Sequence, residues 1–343
     1  MWAFIDEQKD VLTHILNQEE KILSFLPDSF INKKEIIITA SGSSLNAALL
    51  VKAMLEKEAK IRIHVETPFQ LRYYSSLLNQ NDQKLLIALS QTGKSIGTLE
   101  CIKMAQANQI DTLAITAYDD SPIAKSANVH INMLCGDEPV GPKTKGFSAT
   151  VLVLQLLLMK MMKIASKEYV QEYRQSIKEL PNNIQTAKQW CRQHDSWAKA
   201  KAMSIVGFGI NYPTAREGTL KILETMQIPI MNFEMEEFMH GPQRTIVKDS
   251  YIVMIDTNGQ GQVLMNNLID FSKTKTNNYL LISTLKQTDD HTLQIGQYPL
   301  TSSWLNAVVI FQVMCTYFPE VNGHNSSNPI YGDFATTVGT RIA

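Results

Sequence analysis

The chain has 343 residues, enough for one large or two ordinary domains, and its 44% apolar residues suffice for a full globular core. Its formal charge of −1 lacks the basic excess of a nucleic-acid footprint, so no nucleic-acid partner is expected. Four widely spaced cysteines form no Cys-x-x-Cys pair, and Asp6 and Glu7 fall where a signal peptide would be apolar. Both features predict a cytoplasmic protein with reduced thiols.

Residues 1–26 place Ile5, Leu12, Ile15, Leu16, Ile22 and Leu23 at helical spacing and predict an amphipathic helix ended by Pro27. Strands are then predicted at 36–40, 61–65, 85–89, 112–116 and 129–134. Helices between them are predicted at 46–57, 68–78, 96–108 and 123–127. A long apolar helix over 144–167 closes this half. Gln155, Lys160 and Lys163 interrupt it, so it reads as a buried helix and no membrane partner is expected. A polar helical connector with Trp190 and Trp197 covers 171–201. A second alternating half follows, with strands at 203–207, 229–233, 251–256 and 279–283 and helices at 211–226 and 305–318. This βαβ rhythm predicts an α/β fold of two tandem domains, each a parallel five-stranded sheet flanked by helices in three αβα layers. The expected divisions are an N-terminal helix at 1–30, a first domain at 31–170, a connector at 171–200, a second domain at 201–335 and a tail at 336–343.

One plan occurs twice in the first half. Ile36-Ile-Ile-Thr-Ala-Ser-Gly-Ser-Ser44 and Lys84-Leu-Leu-Ile-Ala-Leu-Ser-Gln-Thr-Gly-Lys-Ser95 are apolar strands that stop at small hydroxyl residues around a glycine. A helical segment follows each. The unpaired N–H groups and dipole of a helix start favour an anion. Two such turns on neighbouring parallel strands would cup a phosphate. Ser43, Ser44, Ser90, Gln91, Thr92 and Ser95 are the candidates, although Ser and Thr at these positions also cap helices. No Walker lysine motif and no Gly-x-Gly-x-x-Gly occurs. His14, His64, His130, His194, His291 and His324 show no metal-ligand spacing with one another or with the cysteines. No cofactor or metal is expected. In the second half Glu217, Lys221 and Glu224 share one helix face.

Taken in order, Ser41-Gly-Ser-Ser-Leu-Asn46, Ser90-Gln-Thr-Gly-Lys-Ser95, Thr144-Lys-Gly-Phe147, Arg216-Glu-Gly-Thr-Leu-Lys-Ile-Leu-Glu224 and Glu237-Phe-Met-His-Gly-Pro242 resemble the double sugar isomerase (SIS) domain family. The chain is similar to the isomerase portion of glucosamine-6-phosphate synthase and to the fructosamine-6-phosphate deglycases, over about residues 33–335. It opens on the helix before the first SIS domain, with no glutaminase segment, so a complete glutamine-dependent synthase is not expected. The segment 338–343 also lacks the lysine through which that synthase engages the open-chain sugar. Lys94 stands where the synthases carry a glutamate.

The resemblance implies a sugar-phosphate substrate and places Thr144 and Lys145 in a loop that touches sugar hydroxyls; solvated lysines are the plainer alternative for Lys143 and Lys145. It makes Glu224 the base that moves a proton beside the carbonyl, with Lys221 at its side. It makes His240 the group that opens the ring, acting at the neighbouring subunit's site in a homodimer with a shared active site. Two chemistries fit these residues: a deglycase releasing an amine and a hexose 6-phosphate, towards which the missing ammonia source tips the balance, and a simple phosphosugar isomerase or deaminase. A non-catalytic phosphosugar sensor is the alternative of a different class.

Overall fold

The computed structural model describes every residue except 81, 258–260, 286–289, 297, 329 and 343. Ala343 of the predicted tail therefore lies outside the described residues. The chain forms two compact units. One comprises residues 1–9, 140–144 and 171–328; the other comprises 10–139, 145–170 and 329–343.

The unit containing residues 10–139 is built on strands β1 (Glu35–Thr39), β2 (Arg62–Glu66), β3 (Lys84–Leu89), β4 (Asp111–Thr116) and β5 (Val129–Asn132). All pairings are parallel and the order is β2-β1-β3-β4-β5. Every residue of β3 is buried, as expected of a central strand covered on both faces. Successive side chains alternate between faces. Ile37, Leu86, Ala88 and Ala114 pack with Cys101, Ile102 and Ala105 of the helix Ile96–Ala107, and with Leu71 and Ile123. Ile36, Ile38, Leu85 and Ile87 turn to the opposite face, and each is fully buried. Sealing an isoleucine or leucine in this way contributes about 2 kcal/mol.

The predicted long helix spans Lys145–Met161. It stops earlier than expected because Lys163 adopts a left-handed φ of 58°, and Ile164 N–H turns back to the Met159 carbonyl at 2.9 Å. The N-terminal amphipathic stretch is broken into Trp2–Asp6, Gln8–Asn17 and Glu19–Ser24, with Gln18 leaving helical geometry at φ −103° and ψ 11°. Its apolar stripe is still buried at Ile5, Leu12, Ile15, Leu16 and Ile22.

The other unit carries β6 (Met203–Gly207), β7 (Ile230–Glu234), β8 (Tyr251–Asp256), β9 (Tyr279–Ser283) and β10 (Thr292–Gln294). Its all-parallel order is β10-β9-β8-β6-β7. Counted from its own first strand, this is the same 2-1-3-4-5 order as in the first sheet. The expected fold of two tandem parallel α/β sheets is therefore observed. The five-stranded sheet was expected, but the position of its fifth strand, β10, and the helices Met235–Met239 and Gln262–Lys273 were not read from the sequence. β10 has three residues, too few to show a period. The helix Thr301–Val321 is long and apolar enough to cross a membrane, but most of it is buried inside the protein. Its Phe311 presses on Gly218, where an added Cβ would stand 2.7 Å from Phe311 Cγ. That close approach locks it against the helix Asn211–Met226.

Candidate active site

In a 2-1-3-4-5 parallel sheet, ligands bind where the strand order reverses, outside the carboxyl ends of the first and third strands. In the first sheet this point lies between β1 and β3, and both hydroxyl loops leave from it. Gly42 is the N-cap of the helix Ser43–Leu55, at φ 59°, and brings no capping side chain. Ser43 and Ser44 open that helix and are half-buried. The β3 loop is fastened to the β4 side through its backbone. Gly93 N–H donates to the Ser90 carbonyl at 3.0 Å, Ala117 N–H to the Gln91 carbonyl at 2.9 Å, and Ile123 N–H to the Gly93 carbonyl at 3.1 Å. Gly93 has φ +64°, and a Cβ there would collide with the Ser121 side chain, so this turn requires glycine.

Ser43 and Ser44 thus follow β1, and Ser90, Thr92 and Ser95 follow β3, the two strands on either side of the reversal point. Two of the predicted residues have local duties there as well. Ser95 caps the helix Ile96–Ala107, its Oγ accepting from Thr98 N–H at 3.4 Å and from Thr98 Oγ1 at 3.0 Å. Gln91 Nε2 donates to Glu138 Oε2 at 3.1 Å, and its amide fills the space that a side chain at Gly146 would take.

Glu138 is the residue that sequence reasoning missed. It is 2% exposed, and the same Oε2 accepts the Gly146 N–H at 3.0 Å, at the start of the helix Lys145–Met161. An anionic carboxylate suits that positive helix end. The adjacent acids Asp137 and Glu138, in the loop before a long apolar helix, were the available signal. Lys145 is 5% exposed and Thr144 fully buried. The solvated-lysine alternative therefore does not hold for Lys145, whose Nζ lies beside Gly136. The Thr144 carbonyl accepts from Gln312 Nε2 at 3.4 Å.

In the second sheet the strand order reverses between β6 and β8, and the protein's own side chains fill that position. Asn211 and Thr257 are buried there; Thr257 Oγ1 donates to Asn211 Oδ1 at 2.6 Å and meets Ser303 Oγ at 3.2 Å. That unit instead presents a charged trio on Asn211–Met226. Lys221 is fully buried. Its Nζ donates to Glu224 Oε2 at 2.7 Å and lies 3.5 Å from Glu217 Oε1. Burial alone would push the ammonium towards neutrality; the carboxylate of Glu217, then that of Glu224, outweigh burial and hold its pKa above the usual lysine value. The Glu217 side chain is sealed at 1% exposure, whereas that of Glu224 is 32% exposed. The trio therefore points one carboxylate inwards and one towards solvent, with a buried cation between them.

His240 is exposed and ends the helix Met235–Met239. Its Nδ1 lies 2.7 Å from the Glu236 carbonyl. A carbonyl only accepts, so Nδ1 carries the proton and Nε2 of the neutral ring is the acceptor. Among the described residues that carbonyl is its hydrogen-bond partner, and no contact joins it to the trio. Nor does any cluster of three or more His, Cys, Asp or Glu able to hold a metal occur among the described residues.

The SIS domain family matches residues 29–160 and 197–311, one segment on each sheet. The chain belongs to the SIS domain family. It is 27% identical over 309 residues to the isomerizing glutamine–fructose-6-phosphate aminotransferase of Methanosarcina acetivorans, covering 87% of this chain and 50% of that protein. It is 31% identical over 233 residues to the enzyme of the same name from Neisseria meningitidis serogroup B, covering 66% of this chain and 38% of that one. The SIS chain thus spans about half the length of the curated aminotransferases that it matches over most of its length. Among solved structures, a candidate phosphosugar isomerase of Clostridium difficile 630 superposes with a TM-score of 0.89 at 26% identity, covering 99% of this chain and 98% of that one. The C-terminal domain of glucosamine-fructose-6-phosphate aminotransferase from Francisella tularensis shares the fold, with a TM-score of 0.80 at 20% identity over 96% and 97% of the two chains.

Proposed function

We propose that this SIS protein is a phosphosugar enzyme that moves a proton between adjacent carbons of an open-chain 6-phosphorylated ketose or ketosamine. The observation that carries this reading is Glu224, a carboxylate open to solvent yet gripped at 2.7 Å by a buried ammonium. Glu224 takes the proton from the carbon next to the carbonyl, leaving an enediol or, from a ketosamine, an enaminol. The Lys221 ammonium stays charged and offsets developing oxyanion charge. His240 Nε2 takes the anomeric hydroxyl proton, and the imidazolium protonates the ring oxygen as the ring opens. Ser43, Ser44, Ser90, Thr92 and Ser95 hold the phosphate. Gln91 and Lys145 act beside it with Glu138, and Thr144 lies in the loop assigned to the sugar hydroxyls.

Between the two chemistries we favour the deglycase. In a 1-amino-ketose the base removes a C1 proton, and reprotonation at C2 leaves an imine at C1. Water then adds to the imine and the amine departs, giving a hexose 6-phosphate. Both chemistries are tested by incubating the protein with 6-phosphofructosyl amines and with hexose 6-phosphates, and following released hexose 6-phosphate or ketose–aldose exchange. Replacing Ser90 and Thr92 together by alanine is expected to weaken binding of the phosphorylated compound about tenfold or more and to leave its dephosphorylated analogue unaffected. Equal losses for both would remove the phosphate role.

We further propose a homodimer in which His240 serves the partner's site. The His240 segment is bordered by an apolar groove of about 230 Å³, lined by Met239, Leu264, Leu268 and Phe271. Val247, Val263, Leu264 and Phe271 are exposed on the same unit, an apolar surface of the kind that partners cover. Glu224→Gln and His240→Ala variants, each inactive alone, should regain roughly a quarter of wild-type activity after mixing and exchange. Half of random dimers are then mixed, and each of those has one intact site. No recovery in freely exchanging dimers would contradict the shared site.

A further inference from the structure

The chain's C-terminal segment lies against the β3 loop. Ser95 and Arg341 form an antiparallel bridge. Ile96 N–H donates to the Thr340 carbonyl at 3.1 Å, and Ile342 N–H to the Lys94 carbonyl at 2.9 Å. Together they wall a cleft of about 570 Å³ whose charged lining is Lys94, Arg341 and Asp120, with hydroxyls from Thr92, Ser121 and Thr336. Cations outnumber the carboxylate two to one. The Arg341 guanidinium has no ion-pair partner among the described residues.

In sheet order the β3 loop stands between the β1 loop and the β4 loop. Ser43 and Ser44 flank it on the β1 side; the cleft lies on the β4 side, where Ser121 packs against Gly93. Thr92 belongs to both flanks. A phosphate held at the reversal point would therefore leave the Arg341 guanidinium to another group. The volume also exceeds what a lone oxyanion needs and falls in the range of small-molecule sites.

We propose that this cleft binds a second anionic group, a carboxylate or phosphate, on the same phosphosugar substrate, with Arg341 as its principal contact and Lys94 beside it. The inference rests on the phosphosugar reading above and narrows it to doubly anionic substrates. Arg341 can grip two oxygens of such a group at once, and the backbone pairing of residues 340–342 with 94–96 fixes where the guanidinium starts.

Calorimetry with 6-phosphofructosyl-glycine and 6-phosphofructosyl-glycinamide tests it, because the two differ only in the carboxylate. Fructose 1,6-bisphosphate against fructose 6-phosphate is the phosphate arm. The wild-type protein should prefer the glycine adduct or the bisphosphate by about tenfold. R341A should bring that ratio close to one, and R341K should restore part of it. Arg341 is exposed, so neither variant endangers folding. Equal wild-type affinities within both pairs would overturn the inference while leaving the phosphosugar reading intact. So would an R341A variant that keeps the preference, or that loses all compounds in equal measure. No binding of any of the four compounds would overturn both.

Discussion

Glu224→Gln should lower kcat by about 10²–10⁴-fold with little change in KM on whichever phosphosugar proves to be the substrate. The amide keeps the size of the carboxylate, and its oxygen still accepts from Lys221 Nζ, so the 2.7 Å contact survives. What is lost is the ability to take a proton. The phosphate grip is assigned to hydroxyls on other elements, which is why binding should persist. Steady-state kinetics with a single-turnover measurement separates the two effects. Turnover near wild-type would remove Glu224 from the base role. Glu217 is sealed from solvent, so the search would move first to exposed Glu237. If that too were dispensable, the non-catalytic sensor would become the better account.

The sequence revealed elements whose signal is local. Runs such as 36–38 and 85–89 announce buried parallel strands by composition, and the hydroxyl–glycine turns after them announce the helix starts that follow. The spacing of Glu217, Lys221 and Glu224 places them on one helix face without any knowledge of tertiary structure. What stayed hidden is made by residues far apart in the chain. Gln91 spends its amide on Glu138, and Arg341 meets the Ser95 loop only once the chain has folded back. Asn211 and Thr257 bond to each other after the second sheet's strands, and no local pattern distinguishes that pairing from the hydroxyl turns of the first sheet. The inward aim of Glu217 and outward aim of Glu224 depend on which side of the helix Phe311 packs against Gly218, a fact of packing rather than of periodicity.

Replacing the cation at the centre of the trio should have the largest effect on stability. Lys221→Met keeps the length and apolar stem of the side chain but leaves Glu217, sealed at 1% exposure, without the ammonium 3.5 Å away. Removing one partner of a buried ion pair typically costs about 3–5 kcal/mol. Glu224 adds less to that loss, because at 32% side-chain exposure water screens its share. The double variant Glu217→Gln/Lys221→Met removes the buried carboxylate charge as well and should regain much of the loss, a coupling that a double-mutant cycle reads directly. The pH dependence has a definite sign. The Lys221 pKa is raised in the folded protein, so its contribution is complete below the unfolded lysine value of about 10.4 and fades as pH climbs through the higher folded value. Urea titrations should therefore show a wild-type advantage over Lys221→Met that is constant from neutral pH to about pH 10 and shrinks above it. A Lys221→Met protein as stable as wild type at neutral pH would mean that Glu217 is satisfied without the lysine. The trio would then be three side chains on one face of a helix rather than a clamp that holds Glu224 in place.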